Sequence, residues 1–303
     1  MPAVTTAVVP VAGLGTRLLP ATKSQPKEML PVGGKPVVQH VVEELAAAAI
    51  ERVVFVTGRG KSAIEDHFDR DCVLTDVLER RGDEQLLRRL AFERLGLAFA
   101  YTRQPEPLGL GDAVLCAEGF TGDGPFAVAL GDAILGGVDG PPPVVARLAA
   151  ALEHHDADCA VAVRGVAREH TGRYGIVSTH GDGDDDIGDG VARVEAIIEK
   201  PDPRTAPSTL AVAARYVMTS AIFDALRATP RAASGELELT DAIARLVEDG
   251  RTVVAVRLGD VVRHHIGTHE SYASAFLHFA LADPDHGDRL RAEARALLDD
   301  GDR

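Results

Sequence analysis

Strand-length apolar runs alternate with helical patterns through the first half of this 303-residue chain. Four runs rich in valine, alanine and phenylalanine are typical of buried strands: 6–11, 52–57, 97–102 and 126–131. Helical patterns lie between or after them, at 36–49, 61–68, 72–94 and 142–155. Because strands that are connected through helices pair in parallel, this alternation predicts an α/β fold with helices on both faces of a parallel sheet.

The pattern changes beyond the strand-like run at 159–166. Three further strand-like runs follow with turn-rich connections, at 174–179, 191–200 and 210–218. Helical patterns return at about 219–227, 239–249 and 270–282. We therefore predict a mixed, mostly parallel sheet that is extended by a smaller antiparallel part. We expect one domain over residues 1–283, with halves at about 1–158 and 159–283, and a charged helix or tail at 284–303.

The charge of the chain excludes two classes of partner. It carries 32 basic and 46 acidic residues, a formal net charge of −14, so we expect no general affinity for nucleic acid or for an acidic membrane. No apolar run approaches the roughly 18 residues of a membrane span, and the first residues lack the features of a secretory signal. We therefore expect a cytoplasmic protein. The spacings of Cys72, Cys116 and Cys159 are unrelated, which argues against disulfides and predicts buried thiols.

An anionic ligand must therefore be held by a local cluster of positive charge, and one occurs in the segment VAGLGTRLLPATKSQPKEMLP at 11–31. Arg17, Lys23 and Lys27 lie there within eleven positions, directly after a strand-like run. Glycines behind a strand let backbone N–H groups approach a phosphate. Neither standard phosphate motif fits, because Leu18 stands where the dinucleotide motif needs its third glycine and the P-loop sequence is absent.

The pair G-x-G-T-R and P-K-E-M-L-P in this segment resembles the signature of the sugar-1-phosphate nucleotidyltransferases, most of all that of bacterial uridylyltransferases. Other segments similar to that family follow in the family's order: 35–69, RQPEPLGLGDAVLCA (103–117), ALGDAIL (129–135), RYGIV (173–177), EKP (199–201), RYVMTSAIFDAL (215–226) and GELELTDAI (235–243). The resemblance covers about residues 5–280. It implies the nucleotide-diphospho-sugar transferase fold, a Rossmann-like mixed sheet flanked by helices with a smaller antiparallel sugar-binding part.

The activity implied by this resemblance is uridylyl transfer from UTP to glucose-1-phosphate, which gives UDP-glucose and pyrophosphate. The attacking phosphate is already an anion, so the site needs cations, backbone donors and a metal, and it needs no general base. The implied cofactor is Mg²⁺, and the implied assembly is a homodimer or homotetramer. Two alternatives stay open: a sister enzyme that uses dTTP or another hexose-1-phosphate, and a catalytically weak homologue that binds nucleotide sugars.

Family positions carry over to individual residues of this chain. The nucleotide-binding positions correspond to Ala12, Gly13, Gly15, Glu28, Gln104 and Gly109. The catalytic positions correspond to Arg17, Lys27, Asp132 and Lys200. The sugar-binding positions correspond to Gly175, Glu199 and Lys200. By resemblance, Arg17 and Lys27 grip the triphosphate, Asp132 holds Mg²⁺, and Lys200 pairs with the sugar phosphate. Outside this context, each residue would be read as an ordinary surface or turn residue.

Three residues depart from the family pattern. Many relatives have an aspartate that can be a second metal ligand where this chain has His265, and imidazole is a poor ligand for Mg²⁺. Either Asp132 and the substrate phosphates suffice, or the metal preference has shifted, or the activity is lost or directed to another sugar phosphate. Ala214 stands where relatives often have glycine, and Asp112 stands where uridylyltransferases often have histidine.

The acidic segment HGDGDDDIGDG at 180–190 superficially resembles a calcium loop. Counted from Asp182, the template requires glycine at Ile187 and glutamate at Arg193, and neither is present. We therefore expect a solvated hairpin loop here.

Overall fold

The computed structural model describes residues 3–179 and 190–301. Residues 180–189 of the calcium-like segment, where a solvated hairpin loop is expected, lie outside the described residues. Within the described part of the chain, no helix is both long enough and apolar enough to cross a membrane.

Short strands and helices alternate along the described chain. The strands are β1 (Thr6–Pro10), β2 (Pro31–Val32), β3 (Lys35–Pro36), β4 (Arg52–Thr57), β5 (Ala98–Arg103), β6 (Phe126–Ala129), β7 (Ala133–Leu135), β8 (Cys159–Gly165), β9 (Gly175–Thr179), β10 (Val191–Glu199), β11 (Leu210–Met218), β12 (Val253–Arg257) and β13 (Arg263–His265). The α-helices are α1 (Val37–Ala47), α2 (Ser62–Phe68), α3 (Cys72–Arg81), α4 (Glu84–Arg89), α5 (Leu110–Leu115), α6 (Glu118–Thr121), α7 (Val144–His154), α8 (Ala221–Ala228), α9 (Leu239–Glu248), α10 (His269–Ala282) and α11 (Gly287–Gly301).

Nine of the described strands form one sheet in the order β5-β4-β1-β6-β11-β8-β12-β10-β9. The four strands from β5 to β6 are parallel to one another. β11 runs antiparallel to both β6 and β8, β12 is parallel to β8, and β10 is antiparallel to β12 and β9. The predicted mixed α/β sheet is confirmed, and its antiparallel part is continuous with the parallel part instead of forming a separate layer.

Apolar side chains cover both faces of this sheet, as the strand patterns predict. In β1, Val8 points into one core, while Ala7 and Val9 point into the other. Helices α5, α8 and α9 contribute to the first core, and α1, α2 and α7 contribute to the second. Because the faces are closed in this way, ligands must bind at the carboxyl ends of the parallel strands, where the loops after β1, β4, β5 and β6 gather.

The sequence prediction was wrong in several details. The helix expected at 72–94 ends at Arg81, because Gly82 adopts a left-handed conformation (φ +65°) and Asp83 caps the new helix α4. The sequence pattern did not predict α5, which has only six residues, or the five-residue strand β12. Of the thiols expected to be buried, only Cys159 is; Cys116 is half-buried and Cys72 is exposed at the start of α3.

An irregular stretch of β11 fixes the loop that follows β6. The register of β11 shifts between Val212 and Tyr216, and Ala214 lies there in the left-handed region (φ +66°). The carbonyl of Ala214 accepts a hydrogen bond from the backbone N–H of Leu130 at 3.1 Å. The fully buried Arg215 donates to the Glu44 carboxylate of α1 at 2.6 Å and to the Ala133 carbonyl at 2.9 Å. These contacts hold the backbone on both sides of residue 132.

Candidate active site

A cleft of about 520 Å³ opens at the carboxyl ends of β1, β5 and β6. Nine of the residues that the sequence singled out line it: Ala12, Gly13, Gly15, Arg17, Lys27, Glu28, Gln104, Gly109 and Asp132. They come from three loops that are far apart in the sequence, and the parallel strands bring these loops to the same edge. The fold therefore brings the predicted nucleotide-binding residues together in one cleft.

Two glycines of the cleft have conformations or neighbours that a side chain would not tolerate. Gly15 is left-handed (φ +66°), and a Cβ there would lie 3.2 Å from the Thr22 side chain. The Thr22 hydroxyl donates to the Gly15 carbonyl at 2.8 Å and so closes the loop on itself. Gly109 has φ +100°, and a Cβ there would lie only 2.5 Å from the Leu237 carbonyl. Both loops therefore present bare backbone to the cleft.

A lysine and an aspartate meet at the base of the cleft. The Lys27 ammonium donates to Asp132 Oδ2 at 2.5 Å, although the two residues are 105 positions apart. Burial disfavours the Asp132 carboxylate, but the charge and hydrogen bond of Lys27, together with electrostatic interactions with His265 and Arg263, outweigh this effect and hold the pKa of Asp132 well below its usual range. Burial likewise opposes the charge of Lys27, and the neighbouring Asp132 and Glu28 raise the pKa of Lys27 above its ordinary value. The pair is therefore fully ionised at neutral pH.

A second buried ion pair supports the first. The Lys61 ammonium, from the loop after β4, donates to Glu28 Oε2 at 2.9 Å, and both side chains are at least nine-tenths buried. Burial raises the pKa of Glu28, and Lys61 and Lys27 oppose that rise. Lys61 was not predicted from the sequence. The only available signal was its place in TGRGK, directly after a strand-like run whose end reaches the same sheet edge.

Gln104 is 5% exposed at the end of β5. Its amide nitrogen Nε2 donates to the Gly109 carbonyl at 3.0 Å and to Asp112 Oδ2 at 2.9 Å. Asp112 lies in the first turn of α5, and its other oxygen, Oδ1, accepts a hydrogen bond from Arg231 at 3.0 Å. The sequence showed Asp112 only as a departure from the family pattern. In the structure it contacts Gln104, one of the predicted nucleotide-binding residues.

The predicted sugar-binding residues form a separate cluster and do not line this cleft. Glu199 in β10 pairs opposite Gly175 in β9. The Lys200 ammonium lies 2.6 Å from Glu199 Oε1 and 3.5 Å from Glu238 Oε1. Burial opposes the charge of Lys200, but the two glutamates raise the pKa of Lys200 overall. Gly175 is buried, and a Cβ there would lie 3.0 Å from the Thr240 hydroxyl and 3.2 Å from Glu199 Oε2, so a side chain at this position would crowd both residues.

His265 lies beside Asp132, at the position where the family pattern is broken. The pairing of β13 with β7 places His265 opposite Ala133, with Nδ1 3.8 Å from Asp132 Oδ1. Burial lowers the pKa of His265 to about 4, so the imidazole is neutral at pH 7. Nδ1 has no hydrogen-bond partner within the described chain. Among the described residues, no group of three or more His, Cys, Asp or Glu side chains is arranged to hold a metal ion by itself.

Comparison with known proteins gives a consistent result. The sequence profile described as nucleotidyl transferase matches residues 6–280. UTP–glucose-1-phosphate uridylyltransferase YngB of Bacillus subtilis (strain 168) is 40% identical over 294 residues, which is 97% of this chain and 94% of that protein. The fold matches a UTP-bound UGPase from Acinetobacter baumannii with a TM-score of 0.85 and 35% identity, over 96% of this chain and 99% of that one. A UDP-glucose pyrophosphorylase complexed with UDP-glucose matches with a TM-score of 0.80 and 33% identity, over 90% of this chain and 97% of the other.

Proposed function

Because this chain belongs to the nucleotidyl transferase family, we propose that it transfers a uridylyl group from UTP to glucose-1-phosphate and releases UDP-glucose and pyrophosphate. The observation that carries the proposal is the cleft itself. It joins the glycine loop, Lys27, Gln104 and Asp132 at one sheet edge, in a chain about 40% identical to uridylyltransferases over almost its full length.

The chemistry required of such a site is modest. A phosphate oxygen of the sugar attacks the α-phosphorus in line, the bond to the bridging oxygen breaks, and pyrophosphate departs with the electron pair. No proton has to be removed from the nucleophile, so the protein must position two polyanions and stabilise charge. Backbone donors near Gly13 and Gly15 and the cations Arg17 and Lys27 supply this for the triphosphate. We expect Lys27 to exchange its contact with Asp132 for a phosphate oxygen when the nucleotide binds.

On the sugar side, Lys200 is the cation proposed to neutralise the attacking phosphate. Its flanking carboxylates, Glu199 and Glu238, keep it charged and aligned in the free protein. We propose that Glu199 also accepts hydrogen bonds from sugar hydroxyls, and that the lack of a side chain at Gly175 keeps the space beside Glu199 Oε2 clear. Holding both reactants in this way would convert a bimolecular encounter into an oriented one.

The residues present fit a magnesium ion. Mg²⁺ typically takes one or two protein carboxylates together with substrate phosphates and water. Asp132 is ionised, and its Oδ1 is not engaged by Lys27, which contacts Oδ2. We propose that Asp132 holds Mg²⁺ and that the ion, when bound, neutralises charge on the phosphates. The neutral His265 adds no charge to this centre, so substrate phosphates and water would have to supply the remaining ligands.

We extend the proposal to the setting of the reaction. We place it in the cytoplasm and expect a homodimer or homotetramer. Exposed apolar side chains on the last two helices support association of subunits through this region: Phe276, Leu277, Leu297 and Leu298.

The test is pyrophosphate release by the purified protein with UTP and glucose-1-phosphate in Mg²⁺, Mn²⁺, Zn²⁺ or EDTA, with dTTP and galactose-1-phosphate in parallel. We expect Mg²⁺-dependent turnover that favours UTP and glucose-1-phosphate. Turnover only in Mn²⁺ or Zn²⁺ would show that His265 has changed the metal preference. Silence with every pair would refute the enzymatic proposal, and UDP-glucose binding without turnover would indicate a nucleotide-sugar-binding homologue.

A further inference from the structure

We propose that Asp112 and Arg231 are positioning residues that lock the Gln104 carboxamide with its oxygen toward the cleft, so that the site selects pyrimidines carrying a hydrogen on N3 over cytosine. The inference rests on the proposed function, because it assigns the base selectivity of that same nucleotide site. Asp112 and Arg231 are not among the residues that the family resemblance assigns.

The orientation of the Gln104 amide is fixed by what its nitrogen contacts. Nε2 has two hydrogens, and both are used, one by the Gly109 carbonyl at 3.0 Å and the other by Asp112 Oδ2 at 2.9 Å. Both partners are acceptors without a hydrogen to give. Turning the amide over would place Oε1 against a carbonyl and a carboxylate, so only one of its two orientations is compatible with these neighbours.

Arg231 holds in place the Asp112 carboxylate, which determines the orientation of the Gln104 amide. Its Nη2 donates to Asp112 Oδ1 at 3.0 Å, while Nη1 donates to the carbonyls of Gly235 at 3.2 Å and Leu108 at 3.4 Å. One carboxylate oxygen of Asp112 therefore serves Arg231 and the other serves Gln104. The guanidinium therefore links Asp112 to the backbone at Leu108. The Leu108 carbonyl also accepts a hydrogen bond of 2.7 Å from the backbone N–H of Leu237.

The atom left to face a ligand is Oε1 of Gln104, an acceptor. Gln104 lines the cleft together with the apolar residues Pro107, Leu110 and Ala113, which suit the flat face of a base. Uracil has an N3–H that can donate to Oε1. Cytosine has a lone pair on N3, so this atom would face Gln104 Oε1 as a second acceptor, at a largely buried side chain where such a contact is unfavourable. A site that accepts a hydrogen bond from its ligand discriminates strongly against an analogue without that donor. This discrimination is much stronger than that of an apolar pocket between ligands that differ by one methylene.

The same geometry sets a limit to the selection. Thymine carries the same N3–H as uracil, so the Asp112–Gln104 contact discriminates against CTP and leaves UTP and dTTP equivalent at this edge. Any preference between UTP and dTTP must come from the ribose or the C5 position.

The experiment measures kcat/KM for UTP and for CTP with glucose-1-phosphate, and equilibrium binding of each nucleotide without the sugar phosphate. In Asp112→Ala the amide loses one of its two acceptors and can turn, so the UTP/CTP ratio should fall at least tenfold. Arg231→Ala should lower the ratio in the same direction by a smaller factor. Asp158→Ala is the matched control, because Asp158 is 19% exposed against 14% for Asp112 and is paired with Arg251; its ratio should not change.

A double-mutant cycle separates positioning from general damage. In a Gln104→Leu background, Asp112→Ala should leave the UTP/CTP ratio unchanged, because the amide through which it acts is gone. The proposal is overturned if Asp112→Ala alters UTP and CTP equally, or if it still shifts the ratio without Gln104. The two proposals fail separately. A protein that releases no pyrophosphate but binds UTP over CTP, and loses this preference in Asp112→Ala, would refute the enzyme and support the positioning role.

Discussion

The two ends of the site hold their charged side chains in opposite ways. At the nucleotide end, two lysine–carboxylate pairs are buried: the side-chain exposures are 16% and 12% for Lys27 and Asp132, and 7% and 2% for Lys61 and Glu28. At the sugar end, Lys200 is 54% exposed between two glutamates. The first arrangement is preorganised by the fold, whereas the second remains adjustable in solvent.

This difference decides where function and stability are linked. Removing one member of a buried ion pair leaves an uncompensated charge and costs about 3–5 kcal/mol, whereas an exposed pair contributes roughly 0–1 kcal/mol. Substitutions at the nucleotide end should therefore affect folding as well as catalysis. Substitutions at the sugar end should affect catalysis almost alone.

Asp132→Asn is expected to have the largest effect. It removes the charge that pairs with Lys27 and the proposed metal ligand, so kcat should fall by about 10³-fold. The measurement is pyrophosphate release across a Mg²⁺ titration, with the fold checked by circular dichroism. Asp158→Asn, another partly buried aspartate in an ion pair, serves as the control and should keep its activity. Recovery of full activity at high Mg²⁺ would show that Asp132 is not the principal ligand.

Glu28→Gln tests the buried end by stability. It leaves the Lys61 ammonium buried without its anion, so the free energy of unfolding in urea should fall by about 3 kcal/mol. The matched variant at the sugar end is Glu238→Gln, where Lys200 keeps Glu199 as a partner and the loss should be under about 1 kcal/mol. Equal losses in the two variants would contradict the contrast between the two ends.

Lys200→Ala tests the exposed end by catalysis. The loss of the cation proposed for the attacking phosphate should lower kcat/KM by about 100-fold, equivalent to roughly 3 kcal/mol of transition-state stabilisation. The free energy of unfolding should change by under about 1 kcal/mol, because the Lys200 side chain is 54% exposed. Lys35→Ala removes another half-buried lysine paired to a glutamate and should leave kcat/KM unchanged. Near-normal activity of Lys200→Ala would exclude the assigned role.

Ala214→Gly should produce the smallest effect, at the strand where the two ends join. Alanine is strained at φ +66°, and glycine is not, so the free energy of unfolding should rise by up to about 1 kcal/mol. Ala213→Gly, one position earlier on the same strand, should instead lower it by about 0.5–1 kcal/mol. Glycine keeps the backbone carbonyl that accepts from Leu130, so we expect kcat/KM to change little. A destabilising effect at residue 214 would mean that the backbone there is not strained.

The sequence predicted the strands well where burial alone decides the pattern, as in Arg52–Thr57, which matches its predicted range. It identified the glycine loop because a phosphate cradle requires residues close together in the chain. It could not predict Lys61 beside Glu28, since their ion pair depends on two loops that meet only across the sheet. Asp112 was visible only as a departure, because its contacts with Gln104 and Arg231 exist only after α5 packs against the segment before α9.

The order of strands in the sheet has a consequence for how the chain acquires its structure. β11, from the second half, is inserted between β6 and β8, so the edge of β6 is completed only after about ninety further residues have been added. A fragment that ends near residue 158 would leave β6 as an apolar, unpaired edge, which is a template for aggregation. We therefore expect the halves to be inseparable in folding: the intact protein should melt in one cooperative transition, and the isolated first half should fail to form a soluble unit.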